Sequence, residues 1–359
     1  MVPACRRPKP ARPIGRAQKL ASSRRGILVK RVRRHLSASS PTRSPATPHR
    51  VTRRSKIAIA IVLVAIAAGV GLWTPDKNRE HLEATYVDDK TDLIMVAGVR
   101  LHVRDTGPRN APVLVMLHGF GSSLQTWQPW AEALEREYRV IRFDLPGSGL
   151  SAVDPTGNYR DARSLQVLEA LLDTLRVPRA TLIGNSMGGR IVWAFAAAYP
   201  SRVARLVLIS PDGFASPGFE YGKAAEVPAS MTLMRYVLPK WLLRMSLKPA
   251  YANPAAMTDA LATRYYDMML VPGAREAMLA RMQQTVLVDP VPALRRIQAP
   301  TLLLWGDQDQ MIPFSNAADY QRALPHATLA PLPGLGHLPF EEAPQRSLVP
   351  LLEFLRATQ

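Results

Sequence analysis

The stretch Leu182-Ile183-Gly184-Asn185-Ser186-Met187-Gly188-Gly189 constrains the fold of this chain more than any other. An apolar, strand-like run enters a G-x-S-x-G turn, and a helical pattern rich in Ala and aromatics leaves it at once. Glycines at 184 and 188 flank the serine because a sharp strand-to-helix turn leaves no room for Cβ atoms beside it. Such a turn lifts the serine hydroxyl clear of a sheet and aims the N-terminus of the next helix at it. A serine so placed calls for a base, an acid to orient the base, and N–H donors for an oxyanion.

The 359 residues suffice for one large domain or two ordinary ones. Residues 1–56 hold 17 Lys and Arg and no acid, so nearly all of the net charge of +18 sits there and the body is almost neutral. Rich in Pro and Ser and lacking hydrophobic periodicity, this segment reads as a basic disordered tail. No aromatic interleaving accompanies the charge, so nucleic acid is not indicated as a partner. The single cysteine, Cys5, excludes an intrachain disulfide and any Cys-based nucleophile or metal site in the body.

Ile57 to Trp73 is a run of 17 uncharged residues behind Arg53-Arg54-Ser55-Lys56. Its length is at the short end of the roughly 17–25 residues that span a bilayer. The competing reading is a signal h-region cleaved near Ala65-Ile66-Ala67. The long leader ahead of it favours a retained anchor, with export after signal cleavage as the alternative. The basic flank keeps the N-terminal side in the cytoplasm and sends the body outside it, to the periplasmic face of the inner membrane in a Gram-negative cell.

Residues 74–91 read as a polar linker. From about 92 onward, short apolar runs alternate with helical patterns, the mark of a mostly parallel sheet with crossover helices. Strands are expected at 99–104, 113–117, 139–143, 180–183, 206–209, 301–305 and 327–331. Helices are expected near 126–136, 161–176, 187–199, 315–324 and 344–357. The core is thus assigned to 92–213 and 296–359. Between them, 214–295 shows no strand pattern and carries eight of the chain's 13 methionines. It reads as a helical cap over the C-terminal edge of the sheet, where open α/β sheets place ligands. Most of the methionines are expected to form the cap's own core, and two or three to face substrate.

The ordered motifs identify residues 92–357 with the α/β-hydrolase fold: Leu117-His118-Gly119-Phe120-Gly121, Asp144-Leu145-Pro146-Gly147-Ser148-Gly149, the Ser186 turn, Trp305-Gly306-Asp307-Gln308-Asp309 and Gly336-His337. The resemblance implies Ser186 as nucleophile and His337 as base. Among the seven histidines, His337 alone sits on a glycine-flanked loop between the last strand and the last helix. The family pattern W-G-x-x-D-x-x-x-P selects Asp309 as the acid, with Asp212, just past the strand ending at Ile209, as runner-up. It also implies the backbone N–H groups of Phe120 and Met187 as the oxyanion hole. His118, Ser148 and Ser151 are assigned structural duty.

A serine at 186 argues against the relatives of this fold that use aspartate there. The motif set resembles bacterial lipases and carboxylesterases, which implies cleavage of a small apolar ester or lipid through an acyl-enzyme, with no cofactor and no metal. The alternative is a carbon–carbon bond hydrolase of the meta-cleavage type. Those enzymes also tend to show G-N-S-M-G-G but usually carry an aromatic residue after the catalytic histidine, where this chain has Leu338. Under that reading Arg235, Arg244, Arg264, Arg275 or Arg281 of the cap would meet a substrate carboxylate. A non-catalytic ligand-binding member of the fold is the remaining reading.

Overall fold

The structure, a computed structural model, describes residues 52–215 and 220–357; the basic tail expected over 1–56 lies outside it up to residue 51. In chain order the principal elements are α1 (Arg53–Leu72), α2 (Arg79–Tyr86), β1 (Leu93–Val96), β2 (Val99–Thr106), β3 (Val113–Leu117), α3 (Gln128–Leu134) and β4 (Arg139–Phe143). Next come α4 (Asp161–Thr174), β5 (Ala180–Asn185), α5 (Met187–Ala198) and β6 (Val203–Ile209). The interval after β6 holds α6 (Ala229–Thr232), α7 (Lys240–Leu247), α8 (Asp259–Met269), α9 (Ala274–Gln284) and α10 (Val291–Leu294). The chain closes with β7 (Thr301–Gly306), α11 (Asn316–Ala323), β8 (Ala327–Leu332), α12 (Pro339–Glu342) and α13 (Pro344–Ala357).

The described residues form an eight-stranded sheet in the order β1-β2-β4-β3-β5-β6-β7-β8. β2 runs antiparallel to β1 and β4, and β3 through β8 are mutually parallel. The parallel strands are apolar on both faces because both are covered. Leu182 of β5 joins a cluster with Val167, Leu171 and Phe195 of α4 and α5, while its neighbour Ile183 joins the opposite cluster with Trp130, Phe340 and Leu351. The pairs Leu303/Leu304 on β7 and Val115/Met116 on β3 divide in the same way.

The strand order reverses at β3: β4 lies on one side of it and β5 on the other. The crevice outside the carboxyl ends of β3 and β5 is therefore the switch point at which open α/β sheets bind ligands. His118-Gly119 leave β3 there, and Ser186 leaves β5.

Residues 74–91 carry more structure than a linker needs. α2 is capped by Asn78, whose side chain accepts the His81 N–H at 3.0 Å, and it buries Leu82 against Leu150, Met268 and Val271. Its polar face concealed this packing from periodicity. α1 is 20 residues long, exposed along its span, and long and apolar enough to cross a membrane.

Candidate active site

Ser186 occupies φ +55°, ψ −123°, a conformation that costs a non-glycine residue free energy and persists only where its surroundings fix it. They do so by hydrogen bonds from both sides. The Ser186 N–H donates to the Ile209 carbonyl at 3.0 Å, and the Ser186 carbonyl accepts from Arg190 and Asp212, each at 3.0 Å. The flanking glycines are required by contact. A Cβ on Gly184 would stand 2.5 Å from the Gly188 carbonyl oxygen, and one on Gly188 would stand 2.4 Å from that of Leu117.

His337 is buried on the loop between β8 and α12, and its Nδ1 meets Asp309 Oδ2 at 2.8 Å. The other carboxylate oxygen, Oδ1, accepts the Met311 and Ile312 N–H groups at 2.8 and 2.9 Å. Burial pushes the Asp309 carboxyl upward, but the facing imidazole and the Ile312 N–H outweigh it and hold the group below the usual carboxylate range. Asp309 is thus an anion at neutral pH. Asp212 lies elsewhere: its carboxylate pairs with Arg190 Nε at 3.0 Å, and its carbonyl accepts from Trp193 and Tyr320. The geometry joins His337 to Asp309 and leaves Asp212 as a support of the Ser186 turn.

Two further groups tie this assembly together. Asn185, buried beside the serine, donates from Nδ2 to the Ile209 and His337 carbonyls, both at 3.1 Å, so one amide links the serine turn to the histidine loop. The Glu341 side chain is buried and accepts from Thr126 Oγ1 and Tyr251 OH, both at 2.6 Å, from Tyr265 OH at 3.0 Å, and from Arg264. Its neighbour Glu342 accepts the N–H groups of Gly336 and Asn253 at 2.8 and 2.6 Å. These carboxylates fasten the histidine loop to α8 and to the 250–253 segment, where the Ala250 carbonyl receives the His337 N–H at 2.9 Å.

Opposite the histidine, the β3 exit loop passes close to the serine: a Cβ on Gly119 would lie 3.1 Å from Ser186 Cβ. Among the described residues the backbone N–H groups of Phe120 and Met187 have no protein acceptor. His118 braces this loop, with Nδ1 against the Gly119 carbonyl at 2.7 Å and Nε2 accepting the Leu145 N–H at 3.1 Å. That pairing fixes a neutral imidazole, and burial holds its pKa below the ordinary value, with Asp144 opposing. Unfolded chain therefore takes up a proton near pH ~6.5 that the folded protein refuses until lower pH, so stability declines as pH falls below ~6.5. We expect His118→Asn to flatten the pH dependence of the urea midpoint in that range.

A narrow pocket, partly open to solvent, is lined by Phe120, Met187, Gly147–Gly149, Met268, Met269, Met278 and Arg281. Three methionines of the 214–295 interval thus face the space beside the Met187 N–H. The Asp144 carboxylate shapes the Gly147–Gly149 wall by accepting the Leu124 and Leu150 N–H groups at 2.6 and 2.9 Å and meeting His102 Nδ1 at 2.9 Å. Among the described residues, no three His, Cys, Asp or Glu side chains converge in metal-ligand geometry.

The arginines of this interval separate in the structure. Arg264 pairs with Glu341, Arg275 with Asp76 at 2.6 Å, and Arg244 with Asp259. Among the described residues Arg235 and Arg281 form no ion pair, and of these two Arg281 lines the cavity. Arg281 is buried, donates to the Pro146 carbonyl at 2.9 Å and the Ser164 hydroxyl at 3.3 Å, and lies 5.3 Å from the Tyr159 ring centre. Burial brings its pKa down to about 10 against the pull of Asp161, which leaves the guanidinium charged at neutral pH.

Residues 112–344 match the family described as alpha/beta hydrolase fold. This chain belongs to that family. The 2-hydroxy-6-oxononadienedioate/2-hydroxy-6-oxononatrienedioate hydrolase of Burkholderia vietnamiensis is 32% identical over 75% of this chain and 93% of its own length. The dihydrolipoyllysine-residue acetyltransferase component of the acetoin cleaving system of Pseudomonas putida is 34% identical over 73% of this chain and 68% of its own length. Among solved structures, a membrane phospholipase A superposes with a TM-score of 0.65 at 24% identity, covering 85% of this chain and 99% of that one. A meta-cleavage product hydrolase from Pseudomonas fluorescens superposes with a TM-score of 0.64 at 23% identity, covering 75% and 100%. Two further relatives, from Paraburkholderia phymatum and Cupriavidus pinatubonensis, are each 32% identical and carry the same dienedioate/trienedioate hydrolase name.

Proposed function

We propose that this chain is a serine hydrolase that cleaves a carbonyl substrate through an acyl-enzyme on Ser186, and that the substrate carries an anionic group met by Arg281. The carrying observation is the single assembly formed by the strained Ser186 turn and the Asp309–His337 pair, joined through Asn185. In this reading Ser186 attacks the carbonyl carbon while His337 takes its proton, and Asp309 holds the imidazole tautomer. The Phe120 and Met187 N–H groups receive the developing oxyanion.

For the bond broken, the relatives favour carbon–carbon cleavage over the ester reading. Three that are 32% identical carry the name of a dienedioate hydrolase, a dicarboxylate chemistry that suits a buried guanidinium lacking a carboxylate partner. In such a reaction the bond beside the attacked ketone breaks, its electron pair passes into the conjugated keto acid, and His337 returns the proton to carbon. Water then releases the acyl group from Ser186. Ester cleavage is the second reading, favoured by the methionine-lined cavity and by Leu338 after the histidine. α1 serves in either case as the membrane anchor of the enzyme.

Side-by-side assay of a vinylogous dienol diketo acid and of p-nitrophenyl esters of graded chain length decides between the bonds. Loss of the dienol chromophore at a higher kcat/KM than any ester is the expected outcome; ester turnover with none of the diketo acid reverses the choice. Arg281→Gln should raise KM for the anionic substrate about 10- to 100-fold, as losing a charge-assisted hydrogen bond does, while leaving KM for neutral esters nearly unchanged. Equal effects on both substrates in a variant with unaltered thermal melting would remove Arg281 from substrate recognition.

A further inference from the structure

The chain leaves α1 and is fastened to the 214–295 interval within a few residues. Trp73 stacks on Tyr236 with ring centres 5.8 Å apart, and the Thr74 N–H donates to the Tyr236 carbonyl at 2.8 Å. The Thr74 hydroxyl accepts the Leu238 N–H at 3.1 Å, Arg275 donates to the Thr74 carbonyl at 2.8 Å, and Lys77 pairs with Asp267 at 2.6 Å. A groove lined by Leu72, Trp73, Pro239 and Tyr266 marks where the end of α1 meets the start of α7. The cap is therefore held directly at the end of α1, with no free linker between them.

The surface beside that point is unusual for a water-facing one. Leu233, Tyr236, Trp241, Leu242 and Met245 are all exposed, with Trp241 at 62% and Leu233 at 60%. On α7, Trp241 and Met245 stand one turn apart with Leu242 adjoining them, whereas Leu243 turns inward and is buried. Within 233–248 the charges are Arg235, Lys240, Arg244 and Lys248, and no acid occurs. Apolar and aromatic side chains bordered by Lys and Arg form the composition of a surface that lies in a lipid headgroup layer, where Trp and Tyr are favoured and cations meet anionic lipid.

We propose that the face formed by Leu233, Tyr236, Trp241, Leu242 and Met245 docks on the bilayer into which α1 inserts. Continuity with the anchor and the excess of positive charge identify lipid as the occupant: Arg244 meets Asp259, while Arg235, Lys240 and Lys248 form no ion pair among the described residues. The docking rests on the reading of α1 as a retained anchor and is independent of which bond the site breaks. It would set the methionine-lined cavity under a cap that rests on lipid, so that amphipathic substrates partition to the entrance.

The test uses the full chain with Cys5→Ser, reconstituted in vesicles of phosphatidylethanolamine and phosphatidylglycerol, with one nitrobenzoxadiazole label at a time. Labels are placed through Trp241→Cys, Met245→Cys, Val62→Cys in α1, and Asp173→Cys at the exposed end of α4. Doxyl-labelled lipid should quench the labels at 241 and 245 as it quenches the one at 62, while aqueous iodide reaches only the label at 173. Lipid quenching at 62 with 241 and 245 open to iodide would overturn the docking and leave the anchor standing. No lipid quenching at 62 would remove the anchor and the docking together. A disulfide between two chains of the unlabelled Trp241→Cys variant after oxidation, with no lipid quenching of the labelled one, would assign the face to a second copy instead.

Discussion

We expect Ser186→Ala to lower kcat by about 10⁶-fold while leaving the thermal melt within a few degrees of the parent, because members of a nucleophile–base pair act as a unit. The alanine keeps the φ +55° turn, since the glycines at 184 and 188 and the hydrogen bonds to Ile209, Arg190 and Asp212 all involve backbone. His337→Ala should fall to a similar floor, and the double variant should be scarcely worse than either. The residual rate would come from the Phe120 and Met187 N–H groups and from substrate binding. Additive losses in the double variant would mean that the two side chains do not serve one proton transfer.

The second large effect is at Asp309. Its Oδ1 is claimed by the Met311 and Ile312 N–H groups, so an asparagine in its place must keep its carbonyl there and turn its NH₂ toward His337 Nδ1. The imidazole then accepts at Nδ1 and carries its proton on Nε2, the nitrogen that has to receive the serine proton. We expect Asp309→Asn to cut kcat by about 10⁴-fold, the size known for the corresponding change in a serine protease triad. Asp212→Asn should cost less than about tenfold, because that carboxylate serves Arg190 and does not touch the imidazole. The reverse ranking would move the acid to the end of β6.

The sheet was legible in the sequence where burial is two-sided. β3, β5 and β7 are short, nearly continuous apolar runs because helices cover both faces, and their ends fall within a residue or two of expectation. β1 was not legible: Leu93–Val96 pairs with β2 through a turn at Ala97-Gly98, and an alanine at φ +49° is a poor signal for a hairpin. α2 was hidden for a related reason, since its charged surface disguises the one leucine it buries.

Within the site, motif order pointed to Ser186, Asp309 and His337, and the structure brings Asp309 and His337 into contact. Asn185 stood inside the serine motif and Glu341 four residues after His337, yet what they hold was invisible there. Glu341 binds Thr126, Tyr251, Arg264 and Tyr265, partners up to 215 residues away, and no local pattern encodes such a meeting. Five arginines of the cap, Arg235, Arg244, Arg264, Arg275 and Arg281, likewise look alike in sequence. Only folding shows that Arg264, Arg275 and Arg244 find carboxylates, while Arg281 lies against the cavity without one.

The most direct test of the central claim is covalent. Folded protein treated with a fluorophosphonate probe and digested should yield one modified peptide, with the phosphonyl group on Ser186, and His337→Ala should abolish the labelling. Folded protein that remains unlabelled, or that carries the adduct on Ser148, Ser151 or any other serine, would contradict the assignment of Ser186 as the nucleophile.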